Sequence, residues 1–385
     1  MVLISSTREN SYPTELILLG TGTSSSLPHL DCLTASQTLK PPCQTCLSTL
    51  TPQGKKNIRR NTSAAIRMRA ADGRSVTIVI DAGKNFQAAA LEWFPKYGLR
   101  RIDALLITHA HADAMNGLDD LRGWTLCGAI QPHIDVYASQ DTYTEVQRSF
   151  PYLVSKEFAS GGGDVPEFKW HIIYDKTPFE IGDTGIRITP FAVQHGRIFT
   201  AAPAVACIPT PASTVPSSPK IEEATLPIKQ PQVANGVKMN RALDIIQPYM
   251  CFGFKIQDQI AYISDVSHIP EDAWSLLESL SVLILDCLRL RSHTSHFGLE
   301  DSLRAARRIN ASRTYWTGFG HEVSHDEYIT LGEMVEGINK DFTRLTEMEK
   351  RGMELIEEGK KIWVRPGHDG LRVFVKDGLV RDESY

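Results

Sequence analysis

Two kinds of hydrophobic pattern alternate along the chain. Short apolar runs that are typical of buried strands occur at 16–19, 65–68, 76–80, 102–107, 134–137, 186–193, 252–256, 260–263, 282–285 and 313–316. Longer stretches with helical spacing occur at 86–94, 143–150, 271–280, 299–309 and 345–358. Because strands and helices alternate, the pattern predicts an α/β fold in which helices pack outside the sheet.

One segment interrupts this alternation. Seven of the 21 prolines lie between positions 203 and 231, and serine, threonine and alanine fill most of the remaining positions. Such a composition buries too little apolar surface to offset the entropy of ordering the chain. We therefore predict a flexible surface insertion over residues 199–245. A tolerated insertion at a hairpin tip explains it more simply than a lid next to His195.

The composition narrows the class of protein. The 385 residues are 42% hydrophobic and 22% charged, which excludes a disordered chain, a collagen and a coiled-coil rod. No apolar run approaches the roughly 18 residues of a membrane span, and the polar first residues do not look like a signal peptide. The net charge of −4 argues against long nucleic acid as a partner. We expect a cytoplasmic protein, with the nucleus as a second possible location.

The strongest chemical signal is the sequence Thr-His-Ala-His-Ala-Asp at 108–113, directly after a predicted strand. Imidazole and carboxylate groups together suit Zn, Mn or Fe, and open α/β folds place their sites at strand ends. A polar loop with two exposed histidines is the alternative. Three more strands also end in ligand-type residues, at Asp81, His195 and Asp265. Each alone is more often structural, but together they predict one metal site.

The cysteines suggest a second metal site. Seven cysteines are too few for a disulfide scaffold in a chain of this length. Cys32, Cys43 and Cys46 lie in one loop after the first strand, and 43–46 has the C-x-x-C spacing of a zinc knuckle. A redox pair is the alternative, but no thioredoxin-like sequence surrounds it. We therefore predict a zinc-knuckle loop over residues 32–46.

These motifs, with the Gly-Thr-Gly-Thr sequence at 20–23 and Asp-Ala-Gly at 81–83, resemble the metallo-β-lactamase superfamily. The Gly-Leu-Asp-Asp-Leu-Arg sequence at 117–122 and the cysteine pattern look most like its PhnP-type phosphodiesterases. The resemblance covers nearly the whole chain apart from the insertion and the tail. It implies that residues 1–385 form one αββα four-layer sandwich domain, with the metal site at one edge of the two sheets.

The resemblance also implies roles for single residues. His109, His111 and His195 match the histidines of a first metal position. Asp265 matches a carboxylate that bridges two metals, and Asp113 matches a ligand of the second metal, where it would also orient or deprotonate water.

Two positions depart from the family pattern. Ala114 and Gly318 stand where the family usually has histidines, and both of the missing ligands belong to the second metal. We therefore expect a mononuclear enzyme, or one that recruits a second ion only with its substrate. The rival hypothesis is a descendant that has lost its chemistry and serves as a zinc-stabilised binding protein.

The same resemblance completes the predicted chemistry. His321 would join Cys32, Cys43 and Cys46 in a structural Zn²⁺ site, while the active site would hold one Zn²⁺ or Mn²⁺. His296 matches a general acid that protonates the leaving alkoxide. The implied activity is metal-dependent hydrolysis of a small or cyclic phosphodiester. A tRNA-processing nuclease and a thiolester or lactam hydrolase are alternatives, and a homodimer is left open.

Overall fold

Two β-sheets face each other in this computed structural model, which describes residues 12–35, 42–161, 164–198, 247–338 and 342–385. The predicted insertion at 199–245 lies outside the described residues. Within these ranges the strands are β1 Thr14–Gly20, β2 Ser63–Arg69, β3 Ser75–Ile80, β4 Ala104–Leu106, β5 Ile134–Ala138, β6 Phe168–Ile172, β7 Phe179–Glu180, β8 Arg187–Ile198, β9 Gln247–Ile256, β10 Ile260–Ile263, β11 Val282–Asp286, β12 Arg313–Thr317, β13 Val364–Pro366, β14 Arg372–Lys376 and β15 Leu379–Glu383.

The longer helices pack on the outer faces of these sheets, and the shortest lie in connecting segments. The helices are α1 Leu30–Thr34, α2 Gln44–Ser48, α3 Phe86–Tyr97, α4 Ala112–Met115, α5 Arg122–Thr125, α6 Gln140–Ser149, α7 Leu299–Ile309, α8 His325–Glu336 and α9 Glu347–Glu354. No helix among the described residues is long and apolar enough to cross a membrane.

The strand order explains why strand ends from both sheets gather at one edge. The first sheet has the order β15-β14-β1-β2-β3-β4-β5-β6, and the second has the order β13-β12-β11-β10-β9-β8-β7. Strands β3 to β6 are parallel to one another, as are β10 to β13. The carboxyl ends of each parallel set therefore lie along the same edge of their sheet.

Alternation along the strands produces four layers. In β1, Leu16 and Leu18 belong to the core between the two sheets, whereas Ile17 and Leu19 pack with α3 on the outer face. In the second sheet, Tyr262 and Ile284 face the other sheet, and Ile263 and Leu285 pack with α7 and α8. Because side chains alternate between the faces of a strand, each sheet buries both faces. The predicted αββα sandwich is confirmed.

The prediction missed some elements. The predicted helix at 271–280 is a short 3-10 helix, Glu271–Leu277, and the chain leaves helical geometry at Glu278, whose ψ is 149°; the φ of Ser279 is +60°. Strands β6, β7, β13, β14 and β15 and helix α8 were not predicted. Strand β14 pairs with β1 from the other end of the chain, a partnership that local pattern cannot reveal.

Candidate metal centre

The candidate metal centre lies where strand ends of the two sheets meet. Strand β4 leads into the loop that carries His109 and His111, and β10 leads into Asp265. His195 lies inside β8, where the pairing with β9 shifts register between Gln194 and Arg197. The next residue, Gly196, has a φ of +76°, and a Cβ there would lie 2.9 Å from the side chain of Ser295. A glycine at this bulge therefore lets the strand approach the 295 loop closely.

The structure brings together most of the residues predicted for this site. His109, His111 and His195 each offer a ring nitrogen within 4.8 Å of the other two. His195, Asp265 and His296 form a second group under the same distance limit, so His195 belongs to both groups. His195 Nε2 and His111 Nδ1 lie 3.2 Å apart.

Asp113 belongs to neither of these groups. It lies in the first turn of α4, directly after the His-x-His loop, and is partly exposed. Burial and the neighbouring Asp265 raise the pKa of Asp113. The carboxylate therefore lies within electrostatic reach of the imidazole cluster without being one of its closest members.

A hydrogen-bond chain fixes the orientation of His109. Asp81 accepts hydrogen bonds from the Thr108 amide and hydroxyl, each at 2.8 Å, and the Thr108 oxygen lies 2.8 Å from His109 Nδ1. Burial raises the pKa of Asp81, and the hydrogen bonds from Thr108 oppose that effect. When Asp81 is ionised, the Thr108 hydroxyl donates to it and accepts from Nδ1–H, which leaves a lone pair on Nε2.

The free nitrogen of His109 fits a metal ligand. His109 Nε2 is buried and has no hydrogen-bond partner among the described residues. Burial lowers the pKa of His109 to about 3, so the ring is neutral at physiological pH. A buried nitrogen without a partner is costly, and coordination to a cation would satisfy it.

His195 and Asp265 are also held in place by neighbouring groups. His195 Nδ1 donates to the backbone carbonyl of Ser295 at 2.8 Å, which leaves Nε2 facing the cluster. Asp265 accepts a hydrogen bond of 2.6 Å from the hydroxyl of Ser264. Burial alone would raise the pKa of Asp265, but His109 and the other nearby imidazoles lower it to about 2. The site therefore presents an ionised carboxylate beside the neutral ring of His109, and imidazole and carboxylate donors together suit Zn²⁺ or Mn²⁺.

A buried carboxylate holds His296 on the Asp265 side of the cluster. His296 Nδ1 donates to Asp286 Oδ2 at 2.8 Å, and the same oxygen accepts the Val266 amide at 3.1 Å. Burial raises the pKa of Asp286 to about 6. Burial would lower the pKa of His296, but Asp286 outweighs it and raises the pKa to about 9. His296 is therefore protonated at neutral pH.

The backbone leaves no room for a side chain at position 318. Gly318 has a φ of +77°, and a Cβ there would lie only 2.5 Å from Asp286 Oδ1. Asp286 is fully buried, and its Oδ1 has no partner among the described residues. Ala114, the other position without the family histidine, is buried at the end of α4. Asp286 therefore occupies the space into which a side chain at 318 would project.

The cysteine cluster assembles as the sequence predicted. The sulfurs of Cys32, Cys43 and Cys46 lie 3.2, 3.6 and 3.6 Å from His321 Nδ1. All four ligand atoms lie within 4.8 Å of one another. Burial raises the pKa of Cys46 to about 12, so a thiolate there needs a cation beside it. The donor set fits a closed tetrahedral Zn²⁺ site, which has no open position for substrate.

Sequence reasoning missed Tyr249 and Asp286. The Tyr249 ring stacks on His111, with centroids 4.7 Å apart and planes at 6°. Tyr249 lies in β9, beyond the predicted strand at 252–256, and no motif surrounds it. Asp286 is the last residue of β11. The one signal that could have identified it is its place at the end of a strand, which is the signal that identified Asp81 and Asp265.

Comparison with known proteins agrees with this geometry. The family model described as "Beta-lactamase superfamily domain" matches residues 76–208 and 224–319. The chain belongs to this family, whose members share the metallo-β-lactamase fold and are mostly hydrolases. The resemblance found in the sequence is thereby confirmed.

Two solved structures are similar to this chain over nearly its whole length. A crystal structure described as a new diphosphatase from the PhnP family is 20% identical, covers 96% of this chain and 98% of its own, and has a TM-score of 0.59. The metallo-β-lactamase fold protein YhfI from Bacillus subtilis is 11% identical, with 97% and 100% coverage and a TM-score of 0.52. Both share the fold.

A curated relative is longer than this chain. It is named octanoyltransferase, from Porphyromonas gingivalis (strain ATCC BAA-308 / W83), and is 25% identical over 317 residues. The match covers 82% of this chain and 48% of the relative, so the chain spans about half the relative's length.

Proposed function

We propose that this protein is a metal-dependent phosphodiesterase that hydrolyses a small or cyclic phosphodiester. The observation that carries the proposal is the buried Nε2 of His109, which has no hydrogen-bond partner in the described part of the chain, beside His111, His195 and Asp265. In this proposal those four side chains hold one active-site ion. A bound ion would polarise the phosphate and lower the pKa of a water molecule.

The remaining residues take distinct roles. Asp113, whose pKa is raised, orients the attacking water and accepts its proton. His296 is protonated at neutral pH and donates a proton to the leaving oxygen, while Asp286 keeps its ring in position. Hydrolysis of an alkyl phosphodiester requires a base for the water and an acid for the leaving group. Here the carboxylate is the base and the imidazolium is the acid.

The charge distribution favours a small substrate over RNA. Nucleic-acid binding depends mainly on lysine and arginine contacts to phosphates. The described residues that line the cavity beside His111 include Asp141 and Glu145 and no lysine or arginine. A tRNA-processing nuclease therefore has less support than a phosphodiesterase for small substrates.

Metal content and turnover test the proposal together. We expect close to two metal ions per chain by mass spectrometry, and hydrolysis of bis-p-nitrophenyl phosphate. His109→Ala should abolish turnover and lose one ion, whereas Cys43→Ser should lose the other ion and mainly reduce stability. One ion per chain that disappears only with Cys43→Ser, together with no turnover under any added metal, would instead indicate a binding protein on a hydrolase fold.

A further inference from the structure

A cavity of about 590 Å³ opens beside the metal centre on the side of His111. The His-x-His loop, the first turns of α6 and the paired strands β8 and β9 line it. Its volume lies within the roughly 300–1,000 Å³ of small-molecule sites. The cavity therefore has room for a substantial part of a substrate next to the candidate ligands.

The cavity and the proton donor lie on different sides of the histidine cluster. Tyr249, which stacks on His111, lines the cavity. His296 packs on His195, with ring centroids 4.7 Å apart, and groups with Asp265. Neither His296 nor Asp265 lines the cavity in the described part of the chain. A group in the cavity would thus lie away from the leaving oxygen that His296 reaches.

The walls of the cavity define what it can accept. Ile198, Met250 and Phe252 provide apolar surface, and Asp141 and Glu145 provide carboxylates from α6. No lysine or arginine of the described residues lines it. Carboxylates in a partly enclosed space attract a cation and repel an anion. The apolar walls favour a bulky group over a small one.

We propose that this cavity binds the substituent that stays on phosphorus, and that it selects a bulky uncharged or cationic group over an anionic one. The proposal rests on the phosphodiesterase function proposed above. Water forms the new P–O bond, the bond to the leaving oxygen breaks, and that oxygen takes the proton of His296. The ester bond to the group in the cavity stays intact, so the product is a monoester of that group.

The kinetic test keeps the leaving group constant. The substrates are p-nitrophenyl phosphodiesters whose retained groups are phosphorylcholine (cationic), phenyl phosphate (aromatic), methyl phosphate (small) and 2-carboxyethyl phosphate (anionic). We expect kcat/KM to be highest for the cationic and aromatic esters and lowest for the anionic one. Glu145→Gln should reduce the preference for the cationic over the anionic ester about fivefold. Met250→Ala should reduce the preference for phenyl over methyl.

A matched control and a binding measurement separate the possible outcomes. Glu347→Gln changes an exposed carboxylate on α9, which does not line the cavity, and should leave the preferences unchanged. Calorimetry with the metal-loaded protein should show that phosphocholine and phenyl phosphate bind more tightly than phosphoglycolate, and that Glu145→Gln reduces this difference.

Each result supports or overturns one of the two proposals. If the diesters are hydrolysed but Glu145→Gln leaves the cation preference unchanged, the cavity assignment is wrong and the proposed function stands. If no diester is hydrolysed but the binding preference exists and depends on Glu145, the cavity assignment stands and the proposed function fails. If turnover and binding preference are both absent, both proposals fail.

Discussion

Replacing Gly318 with alanine tests whether the Asp286–His296 pair excludes a side chain at this position. The φ of Gly318 is +77°, which an L residue adopts only with strain. A new Cβ would lie 2.5 Å from Asp286 Oδ1 and 3.3 Å from the Ser264 carbonyl oxygen. Because Asp286 is fully buried and its other oxygen bonds to His296 Nδ1, the carboxylate cannot move without weakening that bond.

The expected cost has two parts. The left-handed backbone costs an alanine about 1–2 kcal/mol. A weakened hydrogen bond to a charged group costs about 1.5–3 kcal/mol more. We therefore expect Gly318→Ala to lower the free energy of unfolding by about 2.5–5 kcal/mol. Gly73→Ala is the matched control, because its φ is +84° and nothing lies within 4 Å of the added methyl group. It should cost only the backbone part, about 1–2 kcal/mol.

Urea unfolding of the metal-loaded protein measures both costs, and turnover of an alkyl phosphodiester reports the position of His296. Gly318→Ala should lose activity, and Gly73→Ala should not. Gly318→His should not raise the metal content, although it restores the histidine of the family pattern, because its backbone meets the same contact. Equal destabilisation by Gly318→Ala and Gly73→Ala would show that Asp286 does not restrict this position.

Three further variants test the metal centre and the knuckle. Asp81→Asn reverses the hydrogen bonds that keep the lone pair on His109 Nε2. The affinity for the active-site ion, measured by competition with a chelator, should therefore fall about 10- to 100-fold. An unchanged affinity would refute the hydrogen-bond chain from Asp81 to His109. Cys43→Ser should remove one ion and lower the free energy of unfolding by about 3 kcal/mol or more, because a closed zinc site contributes its binding energy to folding. If the unsubstituted protein were equally stable with and without a chelator, the site would have no structural role. The Asp286 carboxylate raises the pKa of His296, which must stay protonated to act as the acid. Asp286→Asn should therefore move the alkaline limit of kcat for an alkyl ester down from about pH 9 by about two pH units. A p-nitrophenyl ester, whose leaving group needs no acid, should show no such movement.

Strand ends explain why much of the metal centre could be predicted. Buried apolar runs mark strands, and the residue after each run is placed at a sheet edge by the strand itself. Asp81 follows such a run directly, and His109 and Asp265 each lie two positions after the end of one, so their convergence needed only the rule that parallel strands end together. His195 is different, because it lies inside β8 and is positioned by a register shift that no periodicity reveals.

The partners of these residues were harder to predict. The Asp286–His296 pair depends on how the intervening loop folds back, with His293 donating its amide to the His296 carbonyl at 3.1 Å. Tyr249 reaches His111 only through the pairing of β8 with β9. Such contacts join residues from separate elements, and a single sequence contains no record of which elements pack together. The roles of Asp113 and His296 remain predictions from the family resemblance.

The loop that carries the knuckle ligand His321 also carries Gly318, which lies against Asp286, and this links the knuckle to the position of His296. Gly318 and His321 are three residues apart between β12 and α8, so the knuckle and the Asp286 contact constrain the same backbone. Buried Arg59 fixes this loop from the other side by donating to the carbonyls of Gly320 and, at 3.0 Å, Val323. Loss of the knuckle ion would release His321 and allow Gly318 to move away from Asp286. Cys43→Ser should therefore slow alkyl esters, which need a positioned acid, more than p-nitrophenyl esters, while the active-site ion stays bound. An equal loss of both activities would mean that the knuckle stabilises the fold without positioning His296.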